Sequence, residues 1–464
     1  MTFHIDPGAV AGLGNEEKTL LARLLDVYQS NISANERKKK YYEGKISLGD
    51  VNLGLALPDG MRRLEIGCAW GTKAVDVLAS RSMFDGFVDV NGQAVDALEP
   101  IVTGNNLLVQ YAKATRDELT FGTTFATLSA DRRLGAKIRF HSPLGAAAVW
   151  DGDRGRIAGG FAVIDAAPES EKEKRIVPRV IYLYTDEAIW VMERDGETWS
   201  AVPYRHPMGR PLMEPMSWNA TSDKPFGRSR IKEPVRRLID GYVRTIANAS
   251  IGLEFATTPQ KYILGVTNDQ YEKLVNDKFR QYVGSIIAST ANPETGEKPT
   301  FGQLTQGSLQ PHMDQLRMLS AQFAAATGLS VSDVGVVSDA NPTSSEAILA
   351  QSQTLIIDAG NLNACNAESL KTIALMALAI ANSTSLDGLS EDEQAVMAHF
   401  KNPAMPSVAA TADAAVKIAG ARQGFADTDV FLEMLGFSQA DIRRIRAQEQ
   451  RARGTAILQE LGEV

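Results

Sequence analysis

Two amphipathic patterns on either side of a short insert constrain most strongly what this chain can fold into. Apolar residues recur at helical spacing from Ile231 to Ile246 and again from Leu309 to Phe323. Each pattern has a proline near its start, where a missing N–H is tolerated, and the second pattern stops at Gly328. The two segments are therefore predicted to be an antiparallel pair of helices.

The apolar stripes of this pair are too long for the two helices to cover each other fully. A neighbouring subunit is expected to complete the packing, which predicts a closed ring. The residues predicted to pack in the pair are Ile231, Val235, Leu238, Ile239, Tyr242, Leu309, Met313, Leu316 and Phe323.

The insert between the two helices has the pattern of a compact β-α-β-β unit held at the tip of the pair. Its expected elements are strands at Gln260–Val266, Ser285–Thr290 and Thr300–Leu304 and a helix at Asp269–Tyr282.

A loop and a long helix follow the second amphipathic helix. Ser330–Thr343 is too rich in Gly, Asp, Asn and Ser for a regular element, and it contains no Lys or Arg. Thr343 and Glu346 have capping-box spacing, and the helix predicted from there to Ile380 is roughly 35 residues or about 50 Å long. Such a length suits a spine better than a compact enzyme core.

The region before the pair alternates polar and apolar residues in short runs separated by turn signals. These runs predict antiparallel hairpins at Gly86–Val90, Thr123–Ser129, Lys137–Phe140, Ala146–Trp150, Ile157–Asp165, Arg179–Tyr184, Ala188–Glu193 and Thr198–Val202. A helix is expected at Asn105–Leu119, and five prolines make Pro203–Pro225 an irregular linker. The fold class is therefore α+β.

The two ends of the chain are predicted to be helical. The expected helices are Asn15–Ser30, Asn35–Glu43, Met61–Ser82, Thr411–Ala421, Thr428–Leu435 and Ser438–Leu461, with an edge strand at Ala398–Met405. The Lys and Arg run at Arg37–Lys40 is read as a solvated face, with a partner or DNA contact as the alternative.

Composition excludes several classes of protein. The chain has 464 residues, enough for two to four domains, and its net charge of −8 argues against a broad basic surface that grips nucleic acid. No run of about 18 apolar residues was found, so we expect no membrane span and folding in a cytoplasm. Cys68 and Cys365 are expected to be buried free thiols.

No signature of catalysis stands out. The chain has no phosphate-binding GxxxxGK motif, and its five histidines are scattered without metal-ligand spacing. We therefore predict no catalytic residues, no metal site and no cofactor, and we expect the chain not to be an enzyme.

Several short motifs resemble one family of proteins. The order of helix, α/β tip, helix, loop and long helix is similar to that of the portal proteins of tailed bacteriophages. Six sequence segments are similar to those of the siphophage branch of this family, which is found in phages of actinobacteria. They are Tyr41–Gly44, Phe226–Arg230, Thr258–Gly265, Gln310–Leu316, Ala324–Leu329 and Asn341–Ile348.

The resemblance implies a portal fold built from named domains. It implies a strand-rich wing at residues 1–227, stem helices at 228–256 and 307–329, a small α/β clip at 257–306, a tunnel loop at 330–343, a second part of the wing at 344–406 with the spine helix and edge strand, and a helical crown at 407–464.

The resemblance also implies a function and partners. The ring, usually of twelve subunits, would lie at one vertex of the capsid of the virion, and its channel would package and eject DNA. The implied partners are the major capsid protein, the terminase that hydrolyses ATP, the head–tail adaptor and tail, and double-stranded DNA passing through without sequence specificity.

Two sets of site residues follow from this assignment. The loop residues expected to touch DNA in the channel are Ser332, Asp333, Gly335, Val336, Val337, Ser338, Asp339 and Asn341. Lys273, Lys278 and Lys298 of the clip are expected to contact the terminase or the adaptor.

Two other classes of function stay open at this point. One is an intracellular ring-forming scaffold or adaptor unrelated to DNA. The other is an enzyme that acts on nucleic acid through dispersed carboxylates.

Overall fold

The computed structural model describes residues 3–47, 65–90, 92–93, 95–168, 176–257, 261–264, 296, 300–303, 308–335, 350–404, 408–422, 424–437 and 439–462. Its helices are α1 (Asn15–Tyr42), α2 (Trp70–Ala79), α3 (Glu99–Gly104), α4 (Leu107–Phe121), α5 (Glu233–Thr257), α6 (Gln310–Thr327), α7 (Gln353–Ala381), α8 (Glu391–Gln394), α9 (Val408–Ala421), α10 (Asp429–Met434) and α11 (Gln439–Gly462).

The strands pair in five antiparallel sheets. They are β1 (Lys45–Ser47), β2 (Glu65–Gly67), β3 (Phe84–Val88), β4 (Thr123–Asp131), β5 (Gly135–His141), β6 (Ala146–Asp151), β7 (Arg156–Pro168), β8 (Ile176–Tyr184), β9 (Ala188–Asp195), β10 (Thr198–Arg205), β11 (Met213–Ser217), β12 (Lys261–Leu264), β13 (Thr300–Gln303) and β14 (Met397–Phe400). The sheet orders are β10-β9-β8-β7-β6, β11-β4-β5, β1-β2, β12-β13 and β14-β3.

The α+β class and the hairpins are confirmed. Every strand pair is antiparallel, and the strands from β4 to β10 fall at the predicted runs with ends that differ by a few residues. The three helices of the C-terminal region are present as α9, α10 and α11. Local alternation and turn chemistry were sufficient here because each hairpin is closed by neighbouring residues.

Three predictions for the wing region were wrong. The segment expected to be irregular contains β11, which tolerates Pro215 because it is an edge strand paired only with β4. The expected helix at Met61–Ser82 contains β2, which pairs with β1, and the helix itself begins at Trp70. The two expected N-terminal helices are one continuous helix, α1.

The described part of the spine helix α7 runs from Gln353 to Ala381, and a one-residue turn at Ser352 separates it from helical Ala350 and Gln351. Its predicted start at Thr343 lies outside the described residues. The prediction that Cys365 is buried was also wrong, because this residue lies on the exposed face of α7, whereas Cys68 is buried.

Helix α7 also contradicts the expectation that no stretch could cross a membrane. By length and composition alone it qualifies, with 29 residues and a mean hydropathy of 1.3. Its apolar side has another explanation, because Leu370, Ile373 and Ala377 are fully buried in the core shared with the sheets. The helix therefore packs as the core helix of a folded domain.

A buried polar cluster fixes α7 against α4. The Asn366 amide donates to the Glu118 carboxylate at 2.9 Å and to the Tyr111 hydroxyl at 3.1 Å, and Ser82 shares the same hydroxyl at 2.6 Å. Burial raises the pKa of Glu118 to about 8, so this carboxyl is protonated at neutral pH. The cluster therefore joins the two helices without burying a negative charge.

The insert between α5 and α6 is described only in part. Strands β12 and β13 pair antiparallel, with Lys261 opposite Gln303, which confirms the first and last predicted strands. The predicted helix Asp269–Tyr282 and strand Ser285–Thr290 lie outside the described residues.

Candidate functional site

The two amphipathic helices pack together as an antiparallel pair. Ile231, Val235 and Ile239 are fully buried, and so is Phe323 on α6. Leu238, Tyr242, Leu309 and Leu316 are half-buried. Met313 is not covered, since its side chain is 48% exposed, so the pair by itself leaves part of the predicted stripe open.

The ends of both helices follow from their sequences. Pro311 lies in the first turn of α6, and the Gln310 N–H donates to the Ser308 hydroxyl at 3.1 Å. Gly328 ends α6 in the left-handed conformation at φ 68°, which favours glycine. The chain therefore leaves α6 at a defined residue and enters the loop.

Trp70 is a residue that sequence reasoning missed. Its ring lies 4.0 Å from the Tyr242 ring and 4.5 Å from the Phe323 ring, measured between centroids. It comes from the first turn of α2, so α2 is inserted against both helices of the pair. A tryptophan that opens an apolar helix was the available signal, but its partners are distant in sequence.

Arg230 is a second missed residue and makes the most connections in this region. Its guanidinium Nε donates to the Ala74 carbonyl at 2.7 Å, and Nη1 reaches the Asp358 carboxylate at 3.2 Å. Nη2 donates to the Thr327 carbonyl, the last residue of α6. One buried side chain therefore ties α2, α6 and α7 to the chain just before α5.

The environment of Arg230 accounts for its charge. Burial lowers its pKa, and the hydrogen bond and charge of Asp358 oppose this shift, so the guanidinium stays charged. The cation also lies 5.8 Å from the ring of Trp218. Arg230 belongs to the quoted motif Phe226–Arg230, although that motif gave no indication of these contacts.

Just before Arg230, the backbone at Gly227 crosses close to two other backbone segments. Gly227 has φ 65°, and a side chain there would place Cβ 2.3 Å from the Trp218 carbonyl and 2.7 Å from the Gly122 carbonyl. The next contact is the Ser229 hydroxyl, which donates to the Thr120 carbonyl at 2.5 Å. Only glycine fits at position 227.

The described part of the loop is a tight turn. The Asp333 carboxylate accepts from the Ser330 backbone N–H at 3.1 Å and from the Ser330 hydroxyl at 2.7 Å. Gly335 has φ 88°, as its position in a flexible loop predicts, and Ser332 is exposed. Asp333 is thus a turn residue as well as a loop charge.

The other predicted site residues cannot be located. Those outside the described residues are Val336, Val337, Ser338, Asp339 and Asn341 of the loop and Lys273, Lys278 and Lys298 of the insert. Within the described ranges, no three His, Cys, Asp or Glu side chains group in a way that could hold a metal ion.

The fold and the helix pair define the class of protein: a mixed helix and sheet chain in which a long helix packs against both the sheets and an antiparallel helix pair. Residues 21–455 match the model of the family described as phage portal protein, SPP1 Gp6-like. The chain belongs to this family of portal proteins.

Two relatives carry the same description. The portal protein of Mycobacterium phage L5 is 25% identical over 454 residues, covering 93% of this chain and 90% of the relative. The portal protein of Mycobacterium phage D29 is 24% identical over 422 residues, covering 88% of this chain and 84% of the relative.

Solved structures of gene transfer agent particles contain chains of related shape. A chain from the virion of a native particle is 13% identical with a TM-score of 0.46, covering 79% of this chain and 89% of that chain. A chain from the neck of the native particle, computed with C12 symmetry, is 13% identical with a TM-score of 0.47, covering 80% and 90%.

Replacing Arg230 by Met is expected to destabilise the chain by about 2–4 kcal/mol, because the Asp358 carboxylate and two buried carbonyls lose their donor. Urea unfolding followed by circular dichroism measures the change. Arg237→Met is the control, since Arg237 pairs with Glu233 in solvent and its loss should leave the stability nearly unchanged. Equal stability of the two variants would contradict the role given to Arg230.

Proposed function

We propose that copies of this chain assemble into a closed ring of twelve at a capsid vertex, with DNA passing through the central channel. In this assignment the wing comprises residues 1–227 and 344–406, the stem helices comprise 228–256 and 307–329, the clip comprises 257–306, the tunnel loop comprises 330–343, and the crown comprises 407–464. Membership of the portal family and an uncovered face on the helix pair support the proposal.

The main support for the ring is a face of α6 on which apolar and small side chains are exposed. Met318, Ala321 and Ala325 follow one another at helical spacing and are all exposed, with the Met318 side chain 49% exposed. Leu253 near the end of α5 is 52% exposed. Small and apolar side chains along a helix allow a neighbouring helix to approach closely, so a second copy is the natural partner for this face.

Met318→Asp tests the ring. We expect rings to be replaced by monomers at micromolar concentration, because each interface would bury an unpaired carboxylate at a cost of several kcal/mol. Native mass spectrometry measures the assembly state. Val202→Asp is the control, since Val202 is 56% exposed on the edge strand β10, away from the pair. Rings of normal stability with Met318→Asp would refute this interface.

We propose that the loop at 330–343 projects into the channel and touches moving DNA. The loop has no Lys or Arg, so its contacts would release few counterions and break easily. Its described turn is closed by Asp333 and Ser330, whereas Ser332 is exposed and opens toward solvent. The turn therefore offers neutral side chains on a defined backbone.

Ser332→Lys adds one cation to this turn and leaves Asp333 in place. We expect slower DNA packaging, with a slowing that disappears as salt is raised, because each added phosphate contact steepens the salt dependence. Packaging rate at several salt concentrations is the measurement, and Ser332→Gln is the uncharged control. A Lys variant that packages at the wild-type rate in low salt would show that the loop does not touch DNA.

We further propose that the clip binds the terminase during packaging and the adaptor afterwards, and that the wing contacts the major capsid protein. A tip domain carried on a helix pair is well placed for docking. Reversing the charges of Lys273, Lys278 and Lys298 should weaken terminase or adaptor binding to intact rings, as measured by surface plasmon resonance. Unchanged binding of both partners would show that these lysines do not contact the terminase or the adaptor.

The same assignment separates the structural role from catalysis. In the proposed function, ATP hydrolysis belongs to the terminase, because the chain has no phosphate-binding loop of its own. Family membership supports a portal role over a DNA-independent scaffold or an enzyme with dispersed carboxylates. The chain is proposed to act in the host cytoplasm during assembly and then as a component of the virion.

A further inference from the structure

A basic cleft lies between the C-terminal end of α1 and the N-terminal half of α5. The two helices are joined by a 2.6 Å hydrogen bond from the Tyr41 hydroxyl to the Asp240 carboxylate, and Arg236 lies 6.0 Å from the Tyr41 ring. The cleft has a volume of about 960 Å³, and six of its lining residues are the cations Arg37, Lys40, Lys45, Arg236, Arg237 and Arg244.

The carboxylates in the cleft do not balance these cations. Three carboxylates line it, of which Glu233 is held by Arg237 at 2.6 Å and Asp240 accepts the Tyr41 hydroxyl. Arg37 and Arg244 form no ion pair with a carboxylate in the part of the chain that the structure describes. Lys45 is paired with Glu43 at 3.1 Å, so the positive charge offered to a ligand is chiefly that of the arginines Arg37 and Arg244.

A neighbouring lysine on α1 is turned into the fold. The Lys38 ammonium donates to the Phe121 carbonyl at 2.7 Å and to Asn35 at 3.1 Å. Burial lowers the pKa of Lys38 to about 8, with a smaller contribution from the charge of Arg236. Lys38 is therefore not one of the cations that line the cleft.

Two polar residues of the cleft lie away from the apolar stripe of α5. Asp240 and Arg244 occupy the side of the helix opposite to Val235, which packs in the core shared with α6. These side chains therefore take no part in the apolar packing of α5.

A second copy of this chain carries the complementary charge. The whole chain has a net charge of −8, so the surface outside this positive cleft is more acidic still. Asp387, Glu391 and Asp392 around α8, for example, are exposed and pair with no cation among the described residues. In a ring, every subunit has an adjacent copy of the same chain, so a partner with these carboxylates is always present.

We infer that this cleft is a subunit-contact site, in which Arg37 and Arg244 bind carboxylates of the adjacent copy. The inference rests on the proposed ring and adds a polar, charge-steered contact to the apolar one made by α6. Arginines suit this role because each guanidinium can donate two parallel hydrogen bonds to one carboxylate. The contact should set the relative orientation and the register of adjacent subunits in the ring.

Zero-length crosslinking tests the contact without altering the protein. Rings assembled from an equal mixture of ¹⁴N and ¹⁵N chains are treated with a carbodiimide, which joins lysine amines to adjacent carboxylates. We expect mass spectrometry to find Lys45 or Lys40 joined to a carboxylate peptide of the other isotope. Crosslinks from these lysines that are exclusively within one isotope would overturn the inference.

Charge reversal provides an independent readout. Arg37→Glu with Arg244→Glu should raise the concentration for half-assembly at least tenfold, whereas Arg132→Glu with Arg133→Glu, an equal change on the exposed β4–β5 turn, should leave it unchanged. Sedimentation velocity measures assembly, and circular dichroism confirms folding. If the variant fails to fold, the crosslinking experiment decides the question, because it uses the unaltered protein.

The outcomes separate this inference from the proposed function. Absence of wild-type rings would contradict the ring itself. Normal rings from the Arg37 and Arg244 double variant would overturn the cleft contact alone. Normal rings with weakened binding to a DNA duplex, measured by fluorescence anisotropy, would instead make the cleft a nucleic-acid site.

Discussion

The buried guanidinium of Arg230 is the contact on which the arrangement of this chain depends. It joins the last carbonyl of α6, a carboxylate on α7 and a carbonyl of α2, and it directly precedes α5. A charged side chain in such a place must keep all of its partners, because an unpaired buried charge is costly. Arg230 therefore holds the helix pair against the spine helix together with the apolar cluster that surrounds it.

This joint has a consequence for movement. The loop that follows α6 starts three residues after Thr327, so any displacement of α6 along its axis pulls on Arg230 and on Asp358 of α7. The Trp70 ring, which is packed against Tyr242 and Phe323, opposes the same displacement from the side of α2. A shift of the loop would therefore be transmitted to α2 and α7 through these contacts.

The features found from sequence are those that depend on neighbouring residues. Helix starts at Pro234 and Pro311, the stop at Gly328 and the hairpins of the large sheet follow from local conformational preference and periodicity. The features that were missed depend on distant partners. Arg230 and Trp70 acquire their roles from helices far away in sequence, and β11 exists because β4 offers an open edge.

Other details have the same origin. Apolar periodicity predicted the spine helix, and the structure adds a one-residue turn at Ser352 that periodicity does not show. Asp333 was predicted only as a loop residue that touches DNA, and the structure adds that Ser330 places a hydroxyl and an N–H within hydrogen-bond distance of its carboxylate. A sequence pattern shows which residues are apolar or charged, whereas the structure shows which of them already have packing or hydrogen-bond partners.

The central claim is that the helix pair is completed by a second copy of the chain in a closed ring. Electron cryomicroscopy of the purified protein tests it most directly. The account predicts rings with a central channel in which Met318 of each subunit is buried against the adjacent subunit. Particles that are only monomeric, or rings in which Met318 remains exposed to solvent, would contradict it.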